Sequence, residues 1–151
     1  MESVDAFNEW VRPHLSAMAN LAARLGGGAD RDDIVQESLT RAWRRFETFQ
    51  PDRGTPRAWL LAIVADQARR RRLRRTRAAF LSTPREQTVV DLDLELAVRS
   101  LPPRQRLAVE LHYFVDLDVA ETAAVMKCAE GTVKSTLADA RERLRSILGE
   151  Q

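Results

Sequence analysis

The stretch TPRAWLLAIVADQARRRRLRRTR, residues 55–77, decides the fold of this 151-residue chain. Thr55 is a candidate helix N-cap. Pro56 suits the first helical position, because its fixed φ fits a helix and its missing N–H would be unpaired there anyway. The apolar residues that follow recur at helical spacing and predict one buried face: Trp59, Leu60, Ile63 and Val64.

Seven of the 24 basic residues of the chain crowd the far end of this helix: Arg69, Arg70, Arg71, Arg72, Arg74, Arg75 and Arg77. The formal net charge is only +2, so the remainder of the chain is net acidic and the positive field is local. A local field of this kind suits a polyanion held at one place, and arginine forks engage phosphate oxygens. The run therefore predicts phosphate binding, although an RNA, an acidic protein or a merely solvated helix end fits the same residues.

Composition excludes several classes of protein. A hydrophobic content of 44% is that of an ordinary globular protein. No apolar run reaches the roughly 18 residues that span a bilayer, and the N-terminus lacks a secretion signal, so we expect a cytoplasmic protein. Cys128 is the single cysteine and has no metal-ligand spacing with His14 or His112, so we expect neither a disulfide, a metal nor a cofactor.

Two helices are predicted before residue 55. The first covers about residues 4–25 with a kink or restart at Pro13, and the glycines at 26–28 end it. Asp30 or Asp32 is then expected to cap a second helix. Its predicted buried stripe is Ile34, Val35, Leu39, Ala42, Trp43 and Phe46, and its predicted exposed polar face is Asp33, Gln36, Glu37, Thr40, Arg41 and Arg44. These acidic residues also fit a plain helix N-terminus, and no nucleophile or phosphate loop nearby supports catalysis.

The second half predicts a separate helical unit. The pattern fades over about residues 78–90, and residues 89–98 add an acidic, weakly helical segment. We interpret residues 78–98 as a linker, and residues 99–151 then hold a short helix, a turn and a long helix. That order, with residues 119–126 as the short helix, is typical of a helix-turn-helix, although two packed helices of an ordinary bundle fit it too. No strand-like alternation occurs, so the predicted fold is all α, with two small helical domains, 1–77 and 99–151, joined by the linker.

Two segments together resemble a known family. Residues 32–64, DDIVQESLTRAWRRFETFQPDRGTPRAWLLAIV, are similar to region 2 of the extracytoplasmic-function sigma factors of bacterial RNA polymerase. Residues 101–145, LPPRQRLAVELHYFVDLDVAETAAVMKCAEGTVKSTLADARERLR, resemble their region 4. Both motif sets occur in the family's order across a short linker, and this pairing is more specific than either segment alone.

The resemblance implies roles for individual residues. It assigns docking on the clamp helices of the polymerase largest subunit to Asp33, Ile34, Gln36, Glu37, Arg41 and Arg44. Engagement and opening of the minus-10 element is assigned to the loop 49–54 and the following helix, with Trp59. The other residues of this half that we predict to bind DNA are Arg53, Asp66 and, from the arginine run, Arg69, Arg70, Arg71, Arg74 and Arg75. Entry into the major groove at the minus-35 element falls to Thr132, Lys134, Ser135 and Ala138.

The chain departs from the family pattern at four positions. Asp66 and Arg70 stand where the family often has Asn and Asp, so the start-proximal readout of DNA is expected to differ. Thr136 and Asp139 stand where the family commonly has arginines. Residues 99–151 also carry eight basic and eight acidic side chains. We therefore expect weak upstream binding and a DNA grip dominated by residues 69–77.

The hypothesis is a sigma factor, not an enzyme, that binds core RNA polymerase and promoter DNA and helps to open the promoter. It has no membrane or small-molecule partner, and whether it has an anti-sigma factor is left open. One alternative is a helix-turn-helix regulator that acts without polymerase docking. Another is a degenerate sigma-like interaction protein.

Overall fold

A computed structural model describes residues 2–79 and 93–149, and within these ranges the chain is helical with no strand. The chain divides into two compact units, residues 1–73 and 74–151, and the division falls inside the fourth helix. The predicted all-α, two-domain fold is confirmed. No helix in the described ranges is both long and apolar enough to cross a bilayer.

The first unit is built from three helices and most of a fourth, which extends into the second unit. They are α1 (Glu2–Val11), α2 (Leu15–Gly26), α3 (Arg31–Arg45) and α4 (Pro56–Ala79). A 3-10 turn, Arg12–His14, separates α1 from α2 at the predicted restart, since Pro13 has no N–H to donate. Two further 3-10 turns, Phe46–Thr48 and Pro51–Arg53, connect α3 to α4.

The junction between α2 and α3 is a close approach that requires glycine. Gly27 adopts a φ of 79°, and its N–H donates to the carbonyl of Ala23 at 2.9 Å, which ends α2. A side chain at Gly26 would collide with Ile34 of α3. The glycines therefore end one helix and let the next one pack against it.

The core of the first unit contains Leu60, Ile63 and Val64 of the stripe predicted on α4, whereas Trp59 is only half-buried and Leu61, which was not predicted, is fully buried. Thr55 caps α4 as predicted, because its Oγ1 accepts a hydrogen bond of 3.1 Å from the N–H of Ala58. On α3 the buried line is Ile34, Ser38 and Ala42, which are spaced four residues apart. Trp43, predicted to be buried, is 41% exposed, because it lies one residue further round the helix from that line.

The second unit packs three helices on one long helix. They are α5 (Asp93–Ser100), α6 (Pro103–Val109), α7 (Val119–Met126) and α8 (Glu130–Gly149), with α8 contacting the other three. Residues 93–98 were assigned to the linker, but they form most of α5 because Ala97 and Val98 are buried. Residues 78 and 79, also assigned to the linker, lie at the end of α4, and residues 80–92 lie outside the described ranges. The domain boundaries therefore stay a prediction.

The helix-turn-helix is formed by α7 and α8. The Oδ1 of Asp118 accepts a hydrogen bond of 2.7 Å from the N–H of Glu121 and caps α7. Lys127 takes the left-handed conformation, with a φ of 58°, and ends the helix. Before α7, the chain from Glu110 to Phe114 is a π-helical turn, which the sequence pattern did not predict.

Candidate functional site

The polar residues of α3 form an exposed surface on the first unit. We call the α3 surface the residues Asp33, Gln36, Glu37, Arg41 and Arg44, of which all but the half-buried Arg41 are exposed. The Nε of Arg41 lies 3.6 Å from the Oε1 of Glu37, one turn earlier. Ile34, which the resemblance also assigned to docking, is buried and supports the surface from below.

Six aromatic residues form a continuous cluster on the first unit: Phe7, Trp10, Trp43, Phe46, Phe49 and Trp59. Trp43 is its exposed edge, and its ring lies 5.4 Å from that of Phe7. Because Trp43 follows Thr40 and Gln36 at helical spacing, it adjoins the α3 surface. The exposure of Trp43 was not predicted, because Trp43 also continues the apolar stripe of α3.

The loop at residues 49–54 is anchored to α4 by the same cluster. The ring of Phe49 lies 5.5 Å from that of Trp59, and Trp59 in turn contacts Trp10 at 5.7 Å. Arg53 is exposed in this loop. The structure therefore brings two of the predicted DNA-binding elements, the loop and the start of α4, into direct contact.

The arginine run continues α4 beyond its buried part. Arg69, Arg70, Arg74 and Arg75 are exposed, whereas Arg71 is half-buried. The Nε of Arg70 lies 3.1 Å from the Oδ2 of Asp66, so two predicted DNA contacts pair with each other. The run is a cationic surface on an ordered helix, which is the geometry that phosphate binding requires.

Arg71 links the arginine run to the start of α3. Its Nη2 donates to the Oδ2 of Asp33 at 3.0 Å, and its Nε lies 3.4 Å from the Oδ1 of Asp30. Asp30 stands at the predicted N-cap position of α3, but its side chain makes no capping bond. Residues predicted for two different partners, Asp33 for polymerase and Arg71 for DNA, are thus in contact.

The recognition helix α8 exposes its predicted DNA contacts. Thr132, Lys134, Ser135 and Ala138 are exposed, above a buried line of Val133, Leu137 and Ala140. The hydroxyls of Ser135 and Thr136 donate to the carbonyl of Thr132 at 3.0 Å and 2.6 Å. These two hydroxyls are therefore bonded to their own helix, and Asp139 is exposed beside them.

A further contact orients an arginine of α8. The Nη1 of Arg141 donates to the phenol oxygen of Tyr113 at 2.9 Å, and both side chains are exposed. The sequence analysis selected neither residue, because they are 28 positions apart and no local pattern joins them.

The titratable residues offer no metal centre in the part of the chain that the structure describes. No group of three or more His, Cys, Asp or Glu side chains is placed there to hold an ion. Burial, and to a lesser extent the nearby Arg57, lowers the pKa of His14. The lowered pKa favours the neutral form of the His14 ring.

Comparison with known proteins matches both units. Residues 10–78 match the family model for Sigma-70 region 2, and residues 91–144 match that for Sigma-70 region 4. The ECF RNA polymerase sigma factor EcfG of Rhodopseudomonas palustris, strain TIE-1, is 31% identical over 160 residues, which cover 98% of this chain and 88% of EcfG.

Two solved structures are similar over nearly the whole chain. The sigma factor RpoE from Bartonella quintana, in complex with the anti-sigma factor NepR, has a TM-score of 0.75 and 26% identity, covering 95% of this chain and 97% of RpoE. CnrH, in complex with the cytosolic domain of CnrY, has a TM-score of 0.73 and 26% identity, covering 97% of this chain and 90% of CnrH.

Helical regions 2 and 4 in this order define a bacterial transcription initiation factor of the sigma class. The chain belongs to the extracytoplasmic-function (ECF) sigma factors of bacterial RNA polymerase. The sigma-factor hypothesis is confirmed at the level of the family. The roles of individual residues stay predictions.

Proposed function

We propose that this sigma factor docks on core RNA polymerase through the α3 surface and holds promoter DNA through α4, the 49–54 loop and α8. The proposal rests on the exposure of one face of α3. Asp33, Gln36, Glu37 and Arg44 are exposed, while Ile34, Ser38 and Ala42 are buried and hold the opposite face of the helix. An exposed polar face on a rigid helix suits a protein partner, because little conformational freedom is lost on binding.

Docking is expected to use one apolar anchor among polar contacts. Trp43 lies at the edge of the α3 surface and is already held by Phe7, so covering it removes apolar area from water at small entropic cost. Glu37 and Arg44 supply the charges that orient the partner.

DNA binding is divided between the two units. The arginine run of α4 supplies charge for the phosphate backbone, and the Phe49–Trp59 contact offers aromatic surface on which an unstacked base can stack. Opening then draws its energy from binding and needs no nucleotide hydrolysis. On α8, Thr132, Lys134, Ser135 and Ala138 face the major groove at the upstream element.

The proposal includes a protein regulator of the anti-sigma class. Both solved relatives, RpoE and CnrH, were determined with a bound protein, NepR and the cytosolic domain of CnrY. Their similarity to this chain extends over both of its units, so a partner that contacts either unit fits the same fold.

Charge reversal on the α3 surface tests the docking proposal. We expect Glu37→Lys to weaken the affinity of the full chain for core polymerase by about tenfold or more, with helix content unchanged. Glu47→Lys makes the same charge change at an exposed position outside the surface and should keep the wild-type affinity. Unaltered affinity of Glu37→Lys would refute docking through this face.

A further inference from the structure

Arg71 connects the two functional surfaces of the first unit. We propose that Arg71 is a positioning residue that holds Asp33 in place for polymerase docking, and that it does not act as a phosphate contact. This inference rests on the proposed docking through the α3 surface.

The geometry forms a chain of three side chains. The Asp30 side chain is only 7% exposed, and its Oδ1 lies 3.4 Å from the Nε of Arg71. The other end of the guanidinium donates to Asp33, whose side chain is 67% exposed. A fixed, buried carboxylate therefore holds the guanidinium, and the guanidinium holds an exposed carboxylate at the docking surface.

The position of Asp30 supports its role as the residue that holds Arg71. Asp30 stands where an aspartate normally caps its own helix, yet its carboxylate faces Arg71 and makes no cap bond. The Nε of Arg71 is buried and, although close to Asp30, it is not aligned for a hydrogen bond. The Asp30–Arg71 contact is therefore an ion pair, and the directional bond of Arg71 goes to Asp33.

The contact affects both partners of the sigma factor. An exposed aspartate samples several rotamers, and fixing it before docking saves an ordering cost that corresponds to roughly two- to tenfold in affinity. A guanidinium beside two carboxylates is also a weaker phosphate ligand, because a phosphate must compete with both of them. Arg71 thus differs from the exposed Arg69 and Arg74 of the same run.

A double-mutant cycle on the full chain tests the inference through its affinity for core polymerase. We expect Arg71→Ala to weaken binding roughly two- to tenfold in the wild-type background and less than twofold in the Asp33→Ala background, because its effect passes through Asp33. Arg71→Lys should restore part of the loss, since lysine keeps the charge but not the fork. Arg12→Ala removes an exposed arginine from the same unit and should leave affinity unchanged.

The outcomes separate this inference from the proposed docking surface. An equal loss of affinity from Arg71→Ala in both backgrounds would show that Arg71 stabilises the fold in general, and it would overturn the positioning role. No loss from Arg71→Ala, with a clear loss from Glu37→Lys, would overturn the positioning role alone. If Glu37→Lys and Asp33→Ala both bind normally, the docking surface itself is wrong, and the inference falls with it.

A salt series on promoter DNA tests the other half of the inference. Arg71→Ala should change the slope of log affinity against log salt by less than the roughly 0.9 of one phosphate contact. A loss of a full contact would show that Arg71 binds phosphate and overturn the assignment.

Discussion

The guanidinium Nε of Arg70 lies 3.1 Å from the Oδ2 of Asp66, one turn earlier on α4. These two residues stand where the chain departs from the pattern of its family, and they neutralise each other. Both are about half exposed, so the pair contributes little to stability but sets the charge presented by this face.

Removing the carboxylate of this pair should release Arg70 for DNA. We expect Asp66→Asn to steepen the salt dependence of holoenzyme binding by about one phosphate contact, a slope of roughly 0.9 on duplex or 0.7 on single-stranded DNA. Asp5→Asn removes an exposed carboxylate from α1 and should leave the slope unchanged.

The same face also tests the specificity of the start-proximal element. Replacing the pair by the residues typical of the family, Asp66→Asn with Arg70→Asp, should change which promoters the holoenzyme selects from a random library. An identical promoter profile for the double variant would show that this face does not determine specificity.

The contribution to DNA affinity is expected to be larger from the arginine run of α4 than from α8. Arg69 and Arg74 are exposed on α4, and Arg69→Ala with Arg74→Ala should flatten the salt slope by about two contacts, or roughly 1.8. Lys134→Ala on α8 should flatten it by one contact or less. If Lys134→Ala abolishes binding while the double variant keeps its slope, the arginine run is only a solvated helix end.

Trp43 is expected to anchor polymerase docking as well as to complete the aromatic cluster. Trp43→Ala should lower the affinity for core polymerase by about tenfold or more, because the exposed part of the ring is covered on docking, and should also lower the melting temperature, because the contact with Phe7 is lost. Val4→Ala, at another exposed apolar position of the first unit, provides the control. A lowered melting temperature with normal docking would show that Trp43 only stabilises the fold and does not contact polymerase.

The cap of α7 should control the order of the helix-turn-helix. Asp118→Ala removes the bond to the N–H of Glu121 and should reduce the free energy of unfolding by about 1 kcal/mol, whereas Asp118→Asn should keep most of it. Chemical denaturation of the three proteins measures this. Equal stability of all three would mean that the cap does not hold α7.

Local rules predicted what lies close in the sequence. The cap at Thr55, the restart at Pro13 and the order of α7 and α8 each follow from a residue and its immediate neighbours. Too many residues of α3 were predicted to be buried. Periodicity alone does not show that the small Ser38 lies in the core and that the large Trp43 lies at its edge.

Contacts between distant segments had no signal in the sequence. Arg71 and Asp33 are 38 residues apart, and each belonged to a different predicted surface. Whether a charged side chain meets a partner, a phosphate or another part of its own chain depends on the packing of whole helices. Periodicity within one helix does not contain that information.

Transcription by a reconstituted holoenzyme tests the central claim most directly. Core polymerase alone, or core with this chain, is given a library of promoter fragments, and run-off transcripts are sequenced. The account predicts transcripts from a defined set of start sites only when the chain is present, greatly reduced by Glu37→Lys and kept by Glu47→Lys. A chain that copurifies with core but yields no specific transcript would contradict promoter recognition, and one that binds DNA but does not copurify with core would contradict the docking role.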